Sequence, residues 1–238
     1  MKTHFIELFK KSLKEKITLE NKENFSLIPF KLRSLSLIEL KIWVVLINNG
    51  LTKLDSQAPY IITIKELKEL IGWKPTTSNT NFNANDSLNN INKHLNNLLS
   101  YYHITNTSLI EYSFNPNFIK TICNLSGKVH KLQNILKFKS KYSILLYYYF
   151  LHSLYHYYYI HSLYSIPEQV KRTISLSELR NFLVLKDREY KSIGDFNRWI
   201  LKPAIEEINN NSDIYIKIEP FKNIGSRKNT QFKNIERR

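Results

Sequence analysis

Apolar and polar positions between residues 62 and 74 follow an order that returns between 174 and 186. Ile62-Thr-Ile-Lys-Glu-Leu-Lys-Glu-Leu-Ile-Gly-Trp-Lys74 is matched by Ile174-Ser-Leu-Ser-Glu-Leu-Arg-Asn-Phe-Leu-Val-Leu-Lys186. A pattern that recurs at one fixed offset predicts a duplicated structural unit. In both copies Thr or Ser is followed three residues later by Glu, at Thr63/Glu66 and Ser175/Glu178. Side chains at that spacing satisfy each other's free backbone amides at a helix start, so each copy is expected to open a helix. The match resumes downstream, where Asp86-Ser-Leu-Asn-Asn-Ile-Asn-Lys93 parallels Asp195-Phe-Asn-Arg-Trp-Ile-Leu-Lys202, with Asp expected at the N-cap and Ile and Lys in register.

The remaining pattern fills in two units. Residues 1–33 read as an amphipathic or partly disordered arm, with Phe5, Leu8, Phe9, Leu13 and Ile17 at helical spacing and lysines between them. Ser36 and Glu39 form a third capping box and open a helix from Leu37 to Asn48, with Leu40, Trp43, Val44 and Ile47 on one face and Gly50 as its stop. A strand at Tyr60–Thr63, a helix Ile64–Ile71, a helix from Ser87 to about Tyr101 and strands around Ile104 and at Leu109–Phe114 complete a first domain over 34–126. Gly127 and the lysine-rich stretch after it mark the junction. A second domain over 135–238 is expected to hold a long helix from Lys141 to about Tyr159, a strand near Ile174 and helices Leu176–Leu183 and Phe196–Asn209. Strands Ile214–Glu219 and Thr230–Ile235 follow, around a turn at Gly225. Pro203 should kink or weaken the helix that carries it.

Helix, strand, helix, helix and a two-stranded ribbon is the order of a winged helix, a helix-turn-helix elaboration whose third helix enters the major groove. The expected fold class is therefore α+β, mostly α, with two tandem winged-helix domains related by internal duplication. The C-terminal copy is expected to be the main DNA-reading domain.

Charge points the same way. Thirty-five Lys and Arg against twenty Asp and Glu leave a formal charge of +15, an attraction for any polyanion, although a well-solvated surface explains it too. Cys123 is the only cysteine, which excludes an intramolecular disulfide and a cysteine-based zinc cluster and fits a reducing, cytoplasmic setting. Met1 to Lys16 mixes Lys and Glu with apolar positions, unlike a secretion signal. Tyr142 to Pro167 lacks Asp, Glu, Lys and Arg and is long enough to cross a bilayer. His152, His156, His161 and many hydroxyls would lack partners in hydrocarbon, so a buried helix is expected there and no membrane contact. The five glycines, at 50, 72, 127, 194 and 225, all fall at expected turns or boundaries, which leaves no glycine-rich phosphate loop.

Two helix faces are candidates for reading DNA. The helix after Asp86 gathers Leu88, Ile91, Leu95, Leu98, Leu99 and Tyr102 on one side and Asn89, Asn90, Lys93, Asn96 and Asn97 on the other. Asparagine can bond adenine at N6 and N7, and lysine can meet phosphate or guanine, so Asn89, Asn90, Lys93 and Asn97 are candidate contacts. A general Asn- and Lys-rich composition, as at 209–211, is the plainer alternative. In the second domain Phe196, Ile200, Pro203, Ala204 and Ile208 are expected inward. Asn197, Arg198 and Lys202 are then candidates outside, with Asn209 further along. Arg198 leads, because its planar fork binds guanine O6 and N7 together; the competing reading is a salt-bridged surface, with Lys202 paired to Glu206. Lys191 and Ser192 are candidates for phosphate before the helix. Arg227 and Lys228 are candidates at the wing tip, in a tail from Lys217 that holds seven basic and two acidic residues.

Particular residues carry a resemblance. Phe138-Lys-Ser-Lys-Tyr-Ser-Ile-Leu-Leu-Tyr147, Ile174-Ser-Leu-Ser-Glu-Leu-Arg180, Tyr190, Phe196-Asn-Arg-Trp-Ile-Leu-Lys-Pro-Ala-Ile-Glu-Glu-Ile-Asn209 and Asp213-Ile-Tyr-Ile216 resemble the iteron-binding initiators of theta-replicating bacterial plasmids. The resemblance implies two winged-helix domains that bind direct repeats of origin DNA as a monomer, help melt adjacent DNA, and recruit the host initiator and replicative helicase. It also implies a dimer, joined through the N-terminal domain, that represses its own gene. By resemblance Arg198 and Lys202 take the recognition-helix role of the C-terminal domain, and Asn89 to Asn97 the equivalent face of the first.

Two other classes stay open on residues alone. One is a winged-helix transcription repressor that binds an inverted repeat as a dimer. The other is a rolling-circle nickase, which needs a His-hydrophobic-His metal pair; no His-x-His occurs here. His152 and His156 could share a helix face but lack the glutamate of the metalloprotease motif. Glu206 and Glu207 are neighbours that point about 100° apart, which is no facing carboxylate pair. A non-enzymatic DNA binder without metal or cofactor is the expectation.

Overall fold

The computed structural model describes residues 32–51, 59–75, 82–95, 98–116, 133–160, 169–170, 174–186, 188–218, 221–222, 230–232 and 235–237. The arm up to residue 31, Asn96, Asn97, Cys123, Gly127, Gly225, Arg227 and Lys228 lie outside them. So do the side chains of His152 and His156.

The first unit runs α1 (Leu37–Leu51), β1 (Tyr60–Thr63), α2 (Ile64–Ile71), α3 (Ala84–His94), β2 (Leu99–Ile104) and β3 (Leu109–Phe114). Local chemistry starts the helices. Ser36 Oγ accepts the Glu39 N–H at 3.2 Å while the Glu39 carboxylate takes the Ser36 N–H at 2.6 Å. Thr63 and Glu66 do the same at 3.0 and 2.9 Å for α2. The strands form an antiparallel sheet in the order β1-β3-β2, with Ile62 opposite Ile110 and Tyr102 opposite Tyr112.

Three expectations for this unit are corrected. The helix α1 does not stop before Gly50 but runs to Leu51, and a Cβ at position 50 would fall into the Phe114 ring. Glycine is there to let β3 close on the helix. Leu40, Trp43, Val44 and Ile47 of α1 are buried as expected, and so are Ile42, Val45 and Leu46 on its other sides. The α3 helix begins at Ala84 with Asn83 as its N-cap, so Asp86 sits one turn in, where its N–H bonds Asn83 Oδ1 at 3.2 Å. It ends at His94, not near Tyr101. Tyr101 and Tyr102 alternate in a strand paired with β3, and Leu98 and Leu99 are buried from there just as a helix would have buried them.

The second part adds α4 (Gln133–Lys137), α5 (Lys141–Ile160), β4 (Gln169–Val170), β5 (Ile174–Ser175), α6 (Leu176–Phe182) and α7 (Ile193–Phe196). A π-turn over Asn197–Leu201 leads into α8 (Lys202–Asn211), followed by β6 (Ile214–Ile216), β7 (Phe221–Lys222), β8 (Thr230–Phe232) and β9 (Ile235–Arg237). Strands β5-β8-β7 repeat the antiparallel order of β1-β3-β2, and β4-β9-β6 form a further three-stranded sheet. Ser175 and Glu178 cap α6 reciprocally, as Thr63 and Glu66 cap α2. Ser192, not Asp195, is the N-cap of α7. Asn92 Oδ1 accepts the Leu99 N–H at 2.8 Å and Asn209 Oδ1 the Ile216 N–H at 2.7 Å, so α3 and α8 are each tied to the strand after them. Asn209 therefore serves the fold and does not extend the outer face.

Pro203 neither kinks nor weakens a plain α-helix. It stands at the start of α8, just after the π-turn, where the Lys202 N–H reaches back to the Asn197 carbonyl. The wider turn absorbs the ring and the missing N–H, which an α-helix interior would not tolerate. It also brings the neighbours Ile200 and Leu201 both into the core. Leu201 takes the inward place expected of Pro203, which is exposed.

One continuous core joins the units. Trp43 of α1 meets Tyr148 of α5 edge to face at 5.7 Å between centroids. Glu207 of α8 accepts the N–H groups of Lys139 and Ser140 at 2.6 and 3.2 Å, capping the start of α5 from a distant helix. Burial lowers the pKa of Lys41, partly offset by Glu207, and lowers that of Lys141, partly offset by Glu39. Arg33, just before α1, donates to the Asn181 carbonyl at 3.1 Å at the end of α6. Among the described residues no helix is long and apolar enough to cross a membrane.

Candidate nucleic-acid interface

The segment from α7 to α8 in the second unit has a buried inner side and an exposed outer one. Phe196, Ile200, Leu201, Ala204 and Ile208 are buried, while Lys191, Asn197, Arg198 and Lys202 are exposed. Arg198 lays its guanidinium over the indole of Trp199, 4.9 Å from the ring centroid. Trp199, 58% exposed, was not foreseen as part of this face. Its signal in the sequence is a large aromatic ring placed directly between Arg198 and the inward Ile200. Lys202 Nζ lies 3.9 Å from Glu206 Oε1, with the two side chains 69% and 62% exposed. A pair that exposed contributes little stability, so the ammonium is readily given to another anion. Ser192 is committed differently. Its hydroxyl accepts the Asp195 N–H at 2.9 Å and donates to Asp195 Oδ2 at 2.7 Å, which makes it a cap.

The equivalent face of the first unit is less free. Asn89, Asn90 and Lys93 are exposed. Asn89 Oδ1 accepts the Tyr102 hydroxyl, and Asn90 Nδ2 donates to Glu39 Oε1 at 2.9 Å. Both amides would have to exchange a partner to reach a base. Lys93 occupies the register of Lys202.

A second residue that the sequence pattern did not single out stands on α6 and reaches the turn before α7. Arg180 donates from Nη1 to the Tyr190 carbonyl at 2.7 Å and from Nη2 to the Glu189 and Lys186 carbonyls at 2.6 and 3.4 Å. Its guanidinium lies 5.8 Å from the centroid of the buried Phe196 ring. At the same register in the first unit Lys68 points its ammonium at two rings, 4.8 Å from Trp73 and 5.4 Å from Phe82. No group of acidic, histidine or cysteine side chains suited to a metal ion occurs among the described residues.

Comparison with known proteins bears on this arrangement. Residues 20–151 match the family described as initiator replication protein, WH1, and residues 175–235 match initiator Rep protein, WH2. The chain belongs to the initiator replication protein family. As an initiator replication protein it has two winged-helix domains, which is the α+β, mostly α architecture expected from its repeat. No curated protein sequence matches it. Among solved structures it is similar to the Pi initiator protein, crystallised in complex with iteron DNA, with TM-score 0.55 and 19% identity over 89% of this chain and 94% of that one. That likeness shows a shared fold over nearly the whole length. Domains 2 and 3 of RctB align over 85% of this initiator and 82% of that chain, with TM-score 0.49 and 11% identity, and add nothing to the assignment.

Proposed function

We propose that this initiator recognises the directly repeated DNA of a plasmid origin, its iterons, by laying the helix from α7 to α8 in the major groove. The observation that carries the reading is the exposure of Arg198 and Lys202 on the second winged helix, on a scaffold whose inward residues are all buried. The Pi initiator protein, similar in fold, was crystallised with iteron DNA, which supports the same ligand for this chain. Arg198 reads a guanine and Lys202 a phosphate or base edge; Asn197, Lys191 and the N–H groups capped by Ser192 lie alongside. Lys93, with Asn89, Asn90 and Asn97, makes the lighter contacts of the first domain, and Arg227 and Lys228 those of the second wing. The domain over 34–126 adds dimerisation, the dimer represses the initiator's own gene, and the monomer recruits the host initiator and replicative helicase in the cytoplasm. The work is binding, without catalysis or cofactor.

The test is affinity for a labelled duplex carrying the direct repeats that flank the gene, against the same duplex scrambled. Repeat DNA should be held more tightly, with affinity falling steeply as salt rises. Arg198→Ala should relax base choice at one repeat position, a loss of about 1–3 kcal/mol. Equal affinity for repeated and scrambled duplex would remove the proposal.

A further inference from the structure

We infer that Arg180 is the positioning residue of the second unit's reading helix: it fixes where Arg198 meets DNA by holding the carbonyls of the turn before α7, without touching DNA itself. This rests on the reading proposed above. Three carbonyls, of Lys186, Glu189 and Tyr190, converge on its two terminal nitrogens, two of them at 2.6 and 2.7 Å. A planar guanidinium can bridge several acceptors at once, which a lysine ammonium on a flexible stem does less rigidly. The last of these carbonyls belongs to Tyr190, two residues before the Ser192 cap, and the guanidinium also rests against Phe196 in the first turn of α7. A shift in this clamp is therefore passed straight to the start of the helix.

The backbone around the clamp shows that it is held, not merely folded. Val184 and Tyr190 adopt φ of 56° and 47°, in the left-handed region that non-glycine residues avoid. Such conformations persist where the surroundings over-determine them. Arg180 supplies that constraint at both ends: its own carbonyl accepts the Leu185 N–H at 3.1 Å, and its guanidinium takes the carbonyl of Tyr190. A bidentate base contact from Arg198 depends on distance and angle, whereas phosphate contacts tolerate small displacements. Loosening the clamp should thus cost specificity before it costs general DNA affinity.

The experiment uses the full chain as Arg180→Lys, which keeps the charge, with circular dichroism at the assay temperature to show that the protein is folded. Arg180→Ala is made alongside, and the lysine variant decides if the alanine variant unfolds. Binding is measured by fluorescence anisotropy to a duplex carrying one direct repeat from the DNA flanking the gene and to its scrambled counterpart, over a range of salt. Arg180→Lys should lose about tenfold or more in affinity for the repeat. Its affinity for scrambled DNA should stay within about twofold, and the slope against salt should not change. A parallel loss on both duplexes would mean a stability role only and overturns the inference, as does no loss at all. In Arg180→Ala, where the charge is removed, a slope reduced by about one would mean a direct phosphate contact and overturns it too. Wild-type protein that fails to prefer the repeat removes the proposed function, and this inference with it; a wild type that discriminates beside an indifferent Arg180→Lys removes this inference alone.

Discussion

The helices α2 and α6 end in the same way with different residues. At the end of α2 the Gly72 N–H bonds the Glu69 carbonyl at 3.1 Å and the Trp73 N–H the Lys68 carbonyl at 2.9 Å. At the end of α6 the Val184 and Leu185 N–H groups bond the carbonyls of Asn181 and Arg180, each at 3.1 Å, at matching positions of the repeat. Gly72 has φ 66° and Val184 φ 56°. Glycine takes that conformation freely, whereas a β-branched residue there costs about 1–2 kcal/mol. The two units thus share a backbone path more strictly than they share residues, and the second carries strain that the first avoids. The same holds one element on. In the first unit α3 is an uninterrupted α-helix, and in the second the equivalent helix widens into a π-turn before Pro203.

The comparison can be broken most forcefully in the cores. Ile91 and Ile200 occupy the same register, 0% and 3% exposed, on the inner sides of the two reading helices. Alanine at either should cost about 2–5 kcal/mol by urea unfolding. If Ile200→Ala costs far less than Ile91→Ala, the π-turn is not locked by its paired inward residues. A smaller effect separates the sheets. Tyr112 of the first unit is fully buried, donates to the Leu46 carbonyl at 2.8 Å and accepts from Asn49 Nδ2 at 2.9 Å, while the buried residues of β6 are Ile214 and Ile216. Tyr112→Phe should cost about 1–3 kcal/mol at neutral pH, because the Leu46 carbonyl and Asn49 Nδ2 each lose a hydrogen bond in or beside the core.

That cost should depend on pH. Burial raises the Tyr112 pKa well above the usual tyrosine range, with Asn49 opposing and Tyr60 adding to the rise. A raised folded pKa gives stability that is complete below the unfolded value of about 10 and is lost as pH climbs beyond it. The gap between wild type and Tyr112→Phe should therefore narrow in alkaline solution; a constant gap would show that the phenol does not titrate on unfolding. The smallest effects lie at the two helix ends. Gly72→Val should cost about 1–2 kcal/mol through the backbone alone, since a Cβ there meets nothing within 4 Å. Val184→Gly should gain up to about 1 kcal/mol, less whatever the unfolded chain gains in freedom. Equal and opposite shifts in the urea midpoint would show that the two caps differ in residue only; no gain at Val184 would show that the freedom the unfolded chain gains offsets the relieved strain.

Much of the fold was legible because the signals are local. Ser36/Glu39, Thr63/Glu66 and Ser175/Glu178 each act across one turn, and all three capping boxes form as expected. Arg198 and Lys202 were legible as an outer face because their buried neighbours repeat at helical spacing. The starts of the reading helices were misplaced by one turn, because Asn83 and Ser192 cap as well as Asp does and only the surrounding chain selects between them. Asn90 is on the outer face as expected, but its bond to Glu39 was not legible because that partner lies on another helix 51 residues away. Leu99 and Tyr102 fit a helix by period and a strand by pairing, and the pairing with β3 prevailed, with Leu98 just before it.

The amino-acid order by itself determined the three capping boxes, the twofold repeat, the surplus of positive charge and the outer face that carries Arg198 and Lys202, since each depends on neighbours within a few positions, on a comparison along the chain or on a simple sum. Tertiary packing alone decided that α1 is buried on every side, that Gly50 admits the Phe114 ring, that Asn89 and Asn90 are already bonded, and that Arg180 gathers the turn before α7. Those outcomes depend on groups from separate elements meeting in a shared core, and no local period along the chain encodes such meetings.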